Sequence, residues 1–511
     1  YKSTHVTKTG ETKVIATTQF ESESARTAFS CFDEPSFKAK FTVSIEIKPE
    51  EVRNENLKVL ANMPEEKRTV LADGSVIVLF QETPLMSTYL LAYIIGEFDY
   101  VEATNDEGLL FRVYSLPGDG HKGQFMLGVA QAVTKYFNEY FDIKYPLPKM
   151  DLIGIPDFRA GAMENYGLIT FRANYLLVDN ETAPADIESF AEVVAHEIAH
   201  QWTGNLITAN WWSHIWLNEG SATFFETLAL DAVHPEWNRW EAKLTNSIQR
   251  AFAADAQPST HPIVNSALTP DEVESVFDTI TYDKGGSFLL MAYHYLGAEV
   301  FRNWFREYFK TYKWTNALTP QLFAVLEQVT KREGIAQKFS TWTYNAGFPL
   351  VTVKKVSDTQ YSLSQSRFYS NRPDGTKNTT DPLWWIPVSA TLKSGETKRI
   401  ELNEKQLEKA LTVADKQWFK LNTQHGFYRV NYPSENWLAL FDNFTQFNTF
   451  DKFGIVDDAF ALTFSGDLNI KLALRLISAL EQENTYIIWD TALTQLNRIN
   501  KLIAREPIGA N

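Results

Sequence analysis

Short alternating or wholly apolar runs dominate the start of the chain: Val14 to Phe20, Phe41 to Ile47, Leu57 to Asn62 and Val76 to Phe80. Period-two patterning of this kind predicts strands, and residues 1–98 read as part of a β-sheet domain. A further strand is expected from Gly108 to Ser115 and a helix from Gln124 to Phe141, before Pro146 and Pro148 interrupt the pattern. From there to Gly347 the chain reads as mostly helical, which makes residues 99–347 a second domain. Its most regular stretch is Ile187, Phe190, Ala191, Val194, Ala195, Ile198, Ala199 and Trp202, which keep the i, i+3, i+4, i+7 rule. Asp186, following Pro184, is the expected N-cap of that helix and Gly204 its stop. Pro349 and Pro373 flank a change to β-branched and aromatic alternation in Val351 to Val356, Tyr361 to Gln365, Trp384 to Leu392, Thr397 to Leu402 and Trp418 to Tyr432. Residues 348–434 therefore read as a small β-sandwich. After Pro433 the helical period returns in Trp437 to Phe441, Asp457 to Phe464 and Ile470 to Leu480, so 435–511 begins a helical domain. The predicted fold class is α+β and multidomain.

Composition narrows this picture without redirecting it. A chain of 511 residues is too long for one core. With 44% hydrophobic and 22% charged residues it reads as ordinary globular protein. A net charge of −15, no basic block and no phosphate-cradling glycine loop argue against nucleic acid as a partner. The longest apolar run, Tyr89 to Ile95, is too short to span a bilayer, and the start does not resemble a signal peptide. Cys31 is the sole cysteine, which excludes an internal disulfide; its apolar neighbours predict a buried structural thiol. Sequons at Asn180, Asn378 and Asn443 are weak evidence for secretion.

The chemistry concentrates in His196-Glu197-Ile198-Ala199-His200 and, after eighteen intervening residues, Glu219. Histidines four apart on a helix differ by about 40° around its axis, so both imidazoles reach one metal from one face. Glu219 is the natural third ligand, leaving an open position for water, as a hydrolytic zinc requires. Glu197 is placed to polarise that water rather than to bind metal. Glu226, seven residues after Glu219 on the next helix, is either an acceptor for a ligand histidine or a solvent-facing acid.

Upstream stands Gly161-Ala162-Met163-Glu164-Asn165. This GAMEN run, followed by HExxH and the distant glutamate, resembles the aminopeptidase N family of zinc aminopeptidases, gluzincins with a thermolysin-like catalytic domain. Further matching segments are TTQFE at 17–21, CFDEP at 31–35, YPLPKMD at 145–151, TYDKGGS at 281–287, NAGFPLV at 345–351 and GFYRVNY at 426–432. The resemblance implies four domains, here without the beginning of the first and most of the last, hence a fragment or processed chain with a more open active site. It implies one Zn2+ per chain on His196, His200 and Glu219, with Glu197 as general base and Tyr282 as the hydroxyl donor to the oxyanion. Glu164, with Glu21 as its partner, would bind the free α-ammonium of a peptide. Gly161 and Ala162 would present backbone to the substrate, and Met163 would line the first side-chain pocket. Gln19 stands where relatives specific for acidic residues carry a calcium-binding aspartate, so neutral N-terminal residues are the expected substrates. Thr203 and Ser221 depart from the family pattern, which usually has an aromatic after HExxHxW and a bulky residue after NEG.

Three rival readings stay open on the sequence. A metalloendopeptidase shares the zinc site, a receptor ectodomain shares the fold, and an epoxide hydrolase shares the scaffold with a different glycine-rich version of GAMEN. For location, relatives suggest a plasma-membrane ectoenzyme or extracellular protein, with an anchor outside this chain, or alternatively a cytoplasmic enzyme.

Overall fold

The computed structural model describes residues 1–7, 9–371 and 381–504, so Pro373 and the sequon at Asn378 lie outside the described residues. Two compact units result. The first is Tyr1–Trp237 with Ser266–Phe277 and Arg302–Val325; the second is Asn238–Asn265, Asp278–Phe301 and the chain from Leu326 onward.

The first unit opens with a four-stranded antiparallel sheet ordered Lys2–Val6, Thr12–Thr17, Tyr93–Glu97 and Leu57–Ala61. A three-stranded sheet of Ser44–Ile47, Val76–Phe80 and Glu65–Val70 shares a core with it through Ile47, Val59, Ala61, Val78 and Phe80. Alternation explains Val76–Phe80, where every second residue is buried, whereas Glu65–Val70 is exposed throughout and is held by pairing with it.

The region after Pro148 corrects the helical expectation. Lys149–Ile155 is a strand in which every residue is buried, lying parallel to Leu110–Ser115 and to Leu168–Arg172. A central parallel strand is covered on both faces, so it shows no alternation and cannot be told from a buried helix segment by period. Ala162–Met163 and Asp99–Thr104 close the edges of this five-stranded sheet.

Asp151 sits on the central strand between two cations. Arg112 grips it through both carboxylate oxygens at 2.7 and 3.1 Å, and Lys149 Nζ lies 2.7 Å away. Lys149 also donates to the carbonyls of Ala61 and Gly167, joining the N-terminal sheet to the turn after GAMEN. Gly167 has φ +79°, and a Cβ there would stand 2.5 Å from the Asn62 carbonyl, so the approach requires glycine. The helices Gln124–Phe141, Pro184–His200 and Glu219–Val233 complete the framework of the site.

In the second unit, strands Gln406–Thr412, Gln360–Arg367, Pro349–Lys355 and Arg429–Asn431 form one sheet, while Thr397–Leu402, Ile386–Leu392 and Phe419–Leu421 form another. Buried Tyr361 and Phe419 join the two sheets, their ring centroids 4.8 Å apart. The run expected from Trp418 to Tyr432 is broken, because Asn422 and His425 take positive φ and separate Phe419–Leu421 from Arg429–Asn431. Helices Ser434–Asp442, Thr449–Ser465, Ile470–Arg475 and Tyr486–Ile503 follow. The α+β multidomain class is therefore observed. Cys31 is half-buried rather than enclosed. No helix among the described residues is long and apolar enough to cross a membrane.

Candidate active site

The helix carrying both histidines begins one turn's edge earlier than expected. Ala183 is the N-cap, Pro184 takes the first helical position and Asp186 falls in the first turn, where its charge suits the positive end of the helix. Ala191, Val194, Ala195, Ile198 and Ala199 are fully buried and fix the rotation of the helix. That rotation turns His196 and His200 toward Glu219. The histidine Nε2 atoms lie 2.9 Å apart, and Glu219 Oε2 is 3.4 Å from one and 3.2 Å from the other. Glu219 opens the helix Glu219–Val233, so the helix dipole favours its ionised form. The preceding Asn218 is itself clamped: its Oδ1 accepts from the Ala209 N–H, and its Nδ2 donates to the Tyr89 hydroxyl at 3.3 Å.

The donor set fits a divalent cation. His196 Nδ1 is 2.6 Å from Glu226 Oε2, and His200 Nδ1 is 2.9 Å from the Thr203 carbonyl. A carbonyl can only accept, so His200 carries its proton on Nδ1, and Glu226 imposes the same tautomer on His196. Both Nε2 lone pairs then point at one another and at a carboxylate, an arrangement that only a cation or extra protons relieve. Protonation follows the same logic. Burial opposes a charge on His196, but Glu219 and Glu226 outweigh it and bring its pKa up to about 9. Burial likewise opposes the His200 cation, yet Glu219 and Glu164 push its pKa well above the ordinary range. Burial would raise Glu219, but the two histidines hold it well below the usual carboxylate range. His196, His200 and Glu219 form a set with one ligand atom from each, all within 4.8 Å of one another.

A second set, Glu21, Glu164 and Glu219, meets the same criterion and shares Glu219 with the first. Glu21 Oε1 and Glu164 Oε1 are buried without a hydrogen-bond partner, as is Glu197 Oε2. Burial raises the pKa of Glu21 well above the ordinary value, helped by repulsion from Glu164 and Glu219. Burial also raises Glu164, and lifts Glu197 to about 8 against the pull of the histidines. Glu21, Glu164, Glu197 and Glu219 thus crowd the two imidazoles, with Glu226 behind His196, a negative enclosure suited to a dication and an ammonium group. The Glu164 backbone carbonyl accepts from Gln201 Nε2 at 3.1 Å and from Asn205 Nδ2 at 2.8 Å.

The remaining residues singled out by sequence in this unit lie beside the acids. Met163 is buried, and Gln19 Nε2 stands 3.3 Å from its sulfur. Ala162–Met163 pairs antiparallel with Thr170 and Phe171 as the edge strand of its sheet, and the Gly161 carbonyl accepts from the Arg172 N–H. An edge strand leaves one row of backbone groups open to an extended peptide.

Tyr282 belongs to the second unit. It is half-buried in the helical turn Ile280–Lys284, whose start is capped by Asp278 accepting from the N–H groups of Ile280 and Thr281. Its neighbours are pinned: Asp283 is held by both Arg250 and Ser247, and Lys284 pairs with Asp255 at 2.8 Å. The tyrosine therefore stands on a rigid base.

Family models described as Peptidase M1 N-terminal domain, Peptidase family M1 domain and ERAP1-like C-terminal domain match residues 1–90, 125–342 and 418–510 in order. The chain belongs to the M1 peptidase family. Aminopeptidase M1-C of Oryza sativa subsp. japonica is 39% identical across 100% of this chain and 57% of its own length. Aminopeptidase M1 of Arabidopsis thaliana is 40% identical across 100% and 58%, and the Alanine/arginine aminopeptidase of Saccharomyces cerevisiae 37% across 99% and 58%. The chain spans a little over half the length of these curated relatives.

The two departures of this M1 chain leave the donor geometry intact. Thr203 is buried with its hydroxyl on the Ala199 carbonyl, and it is its own carbonyl, a group any residue supplies, that holds His200. Ser221 is buried in the first turn after Glu219. Sequence reasoning missed Tyr89, Gln201, Asn205 and Asn218. Tyr89 stands in an apolar run where an aromatic is ordinary core, whereas Asn218, directly before Glu219, carried a usable signal: a buried amide must find partners.

Proposed function

We propose that the chain carries the catalytic centre of a zinc-dependent aminopeptidase that releases single, preferably neutral, residues from peptides with a free N-terminus. The observation that supports this most directly is the sharing of Glu219 between two donor sets, one containing both histidines and one containing Glu21 and Glu164. His196, His200 and Glu219 hold one Zn2+ in this reading. When bound, the ion supplies Lewis acidity to the scissile carbonyl and lowers the pKa of water. Glu197 accepts the proton of the attacking water on its unpartnered oxygen and returns it to the leaving amine. Tyr282 donates its hydroxyl to the developing oxyanion. Glu164 and Glu21 accept from the substrate ammonium, which an internal peptide N–H cannot replace. The Gly161–Met163 edge pairs with the substrate backbone. Met163 and Gln19 line the first side-chain pocket with a thioether and an uncharged amide, which favours neutral residues.

Leucyl-p-nitroanilide hydrolysis should vanish on chelation and return with zinc, while the N-acetylated substrate resists cleavage throughout. Comparable rates on the acetylated compound would exclude an aminopeptidase. In a panel of aminoacyl p-nitroanilides, fastest cleavage of the glutamyl or aspartyl member would overturn the neutral preference. Tyr282→Phe should lower kcat about 10²-fold with KM little changed. An unaltered kcat removes the tyrosine from the chemistry.

A further inference from the structure

Glu164 poses a positioning problem. Its Oε1 has no hydrogen-bond partner, as a group awaiting a ligand requires, and the backbone hydrogen bond its carboxylate does accept comes from its own N–H. Its direction must be set through the backbone. The Glu164 carbonyl is gripped by two side-chain amides, Gln201 Nε2 at 3.1 Å and Asn205 Nδ2 at 2.8 Å, all three residues being buried. Both donors belong to the turn that leaves the histidine helix. Gln201 donates its same amide to the Glu197 carbonyl at 3.0 Å, and the Asn205 N–H donates to the His200 carbonyl at 2.9 Å. Within the same turn the Thr203 carbonyl holds His200 Nδ1. Residues 200–205 therefore fasten a histidine with one group and Glu164 with two others.

The amide orientations are not arbitrary. Every acceptor named for Gln201 and Asn205 is a carbonyl, which accepts only, so the NH2 ends must face Glu164. An acid at either position would set an acceptor against an acceptor.

We infer that Gln201 and Asn205 are positioning residues that fix the distance between Glu164 and the histidine pair, and so set amine selectivity. This rests on the aminopeptidase reading above. The two amides touch neither substrate nor metal; they make the amine site and the histidine helix one rigid piece, so that the reacting carbonyl lies one residue from the recognised ammonium.

The test uses the zinc-loaded chain and two probes, leucine hydroxamate and isocaproyl hydroxamate, which differ only in the α-amine. Their affinities are measured by calorimetry, and zinc per chain by elemental analysis. Asn205→Asp keeps the side-chain shape while replacing the donor by an acceptor. It should cut the preference for the amine-bearing probe about tenfold, the scale of one lost buried hydrogen bond. Affinity for isocaproyl hydroxamate and zinc content should stay at wild-type values. Gln201→Met, similar in length and without a donor, should act in the same direction and carries the test if Asn205→Asp fails to fold. Full retention of the preference in a folded variant overturns the inference, and so does an equal loss for both probes, which marks a merely structural role. A wild-type chain that binds both probes equally would sink the aminopeptidase reading together with this inference, so the two failures are distinguishable.

Discussion

Glu197→Gln is expected to lower kcat by about 10³- to 10⁴-fold, the scale of a lost general base, while KM and zinc content stay near wild type. The change replaces one acceptor oxygen by an NH2 donor and removes the negative charge but preserves shape. The helix should tolerate it, since it is the backbone carbonyl of Glu197, not its carboxylate, that engages Gln201. His196, His200 and Glu219 keep their partners, because Glu226 and the Thr203 carbonyl hold the histidines from outside. Steady-state kinetics on leucyl-p-nitroanilide, with elemental analysis alongside, separates the outcomes. A variant that keeps more than a tenth of wild-type kcat would assign the proton transfer to another group.

Glu164→Ala is the second large effect. Removing one partner of a buried, charge-assisted contact costs roughly 4 kcal/mol, or about 10³-fold in kcat/KM. The loss should fall on substrates with a free amine, because the carboxylate has no other hydrogen-bonded duty for its Oε1. Zinc should remain bound, since Glu164 is absent from the set formed by the two histidines and Glu219. The companion Glu21 remains in place and accounts for residual binding. Unchanged kcat/KM on leucyl-p-nitroanilide would mean that exopeptidase selectivity arises elsewhere, and would return the endopeptidase reading to the front.

The elements most legible from sequence were those whose burial follows one period. Gln124–Phe141 and Val76–Phe80 fall where the pattern places them, since each has one buried face. Lys149–Ile155 did not, because burial on both faces erases the period. The strand expected through Trp418–Tyr432 failed for another reason: Asn422 and His425 adopt left-handed backbone that no hydrophobic pattern records.

The site divides the same way. By itself the sequence determined the local part: two histidines one helical turn apart with Glu197 between them, separations that helix geometry converts directly into space, whereas Glu219, on a later helix, reaches them only through packing. Only the tertiary structure decided that Glu21, on a distant segment, and Glu164, after a sheet edge, bring carboxylate oxygens within 4.8 Å of each other and of Glu219. It alone turned Glu226 onto His196, put the Tyr89 hydroxyl on Asn218 and set two amides on the Glu164 carbonyl. Such contacts depend on strand register and on how sheets and helices pack, and a separation of many residues along a chain places no limit on distance until that packing is known.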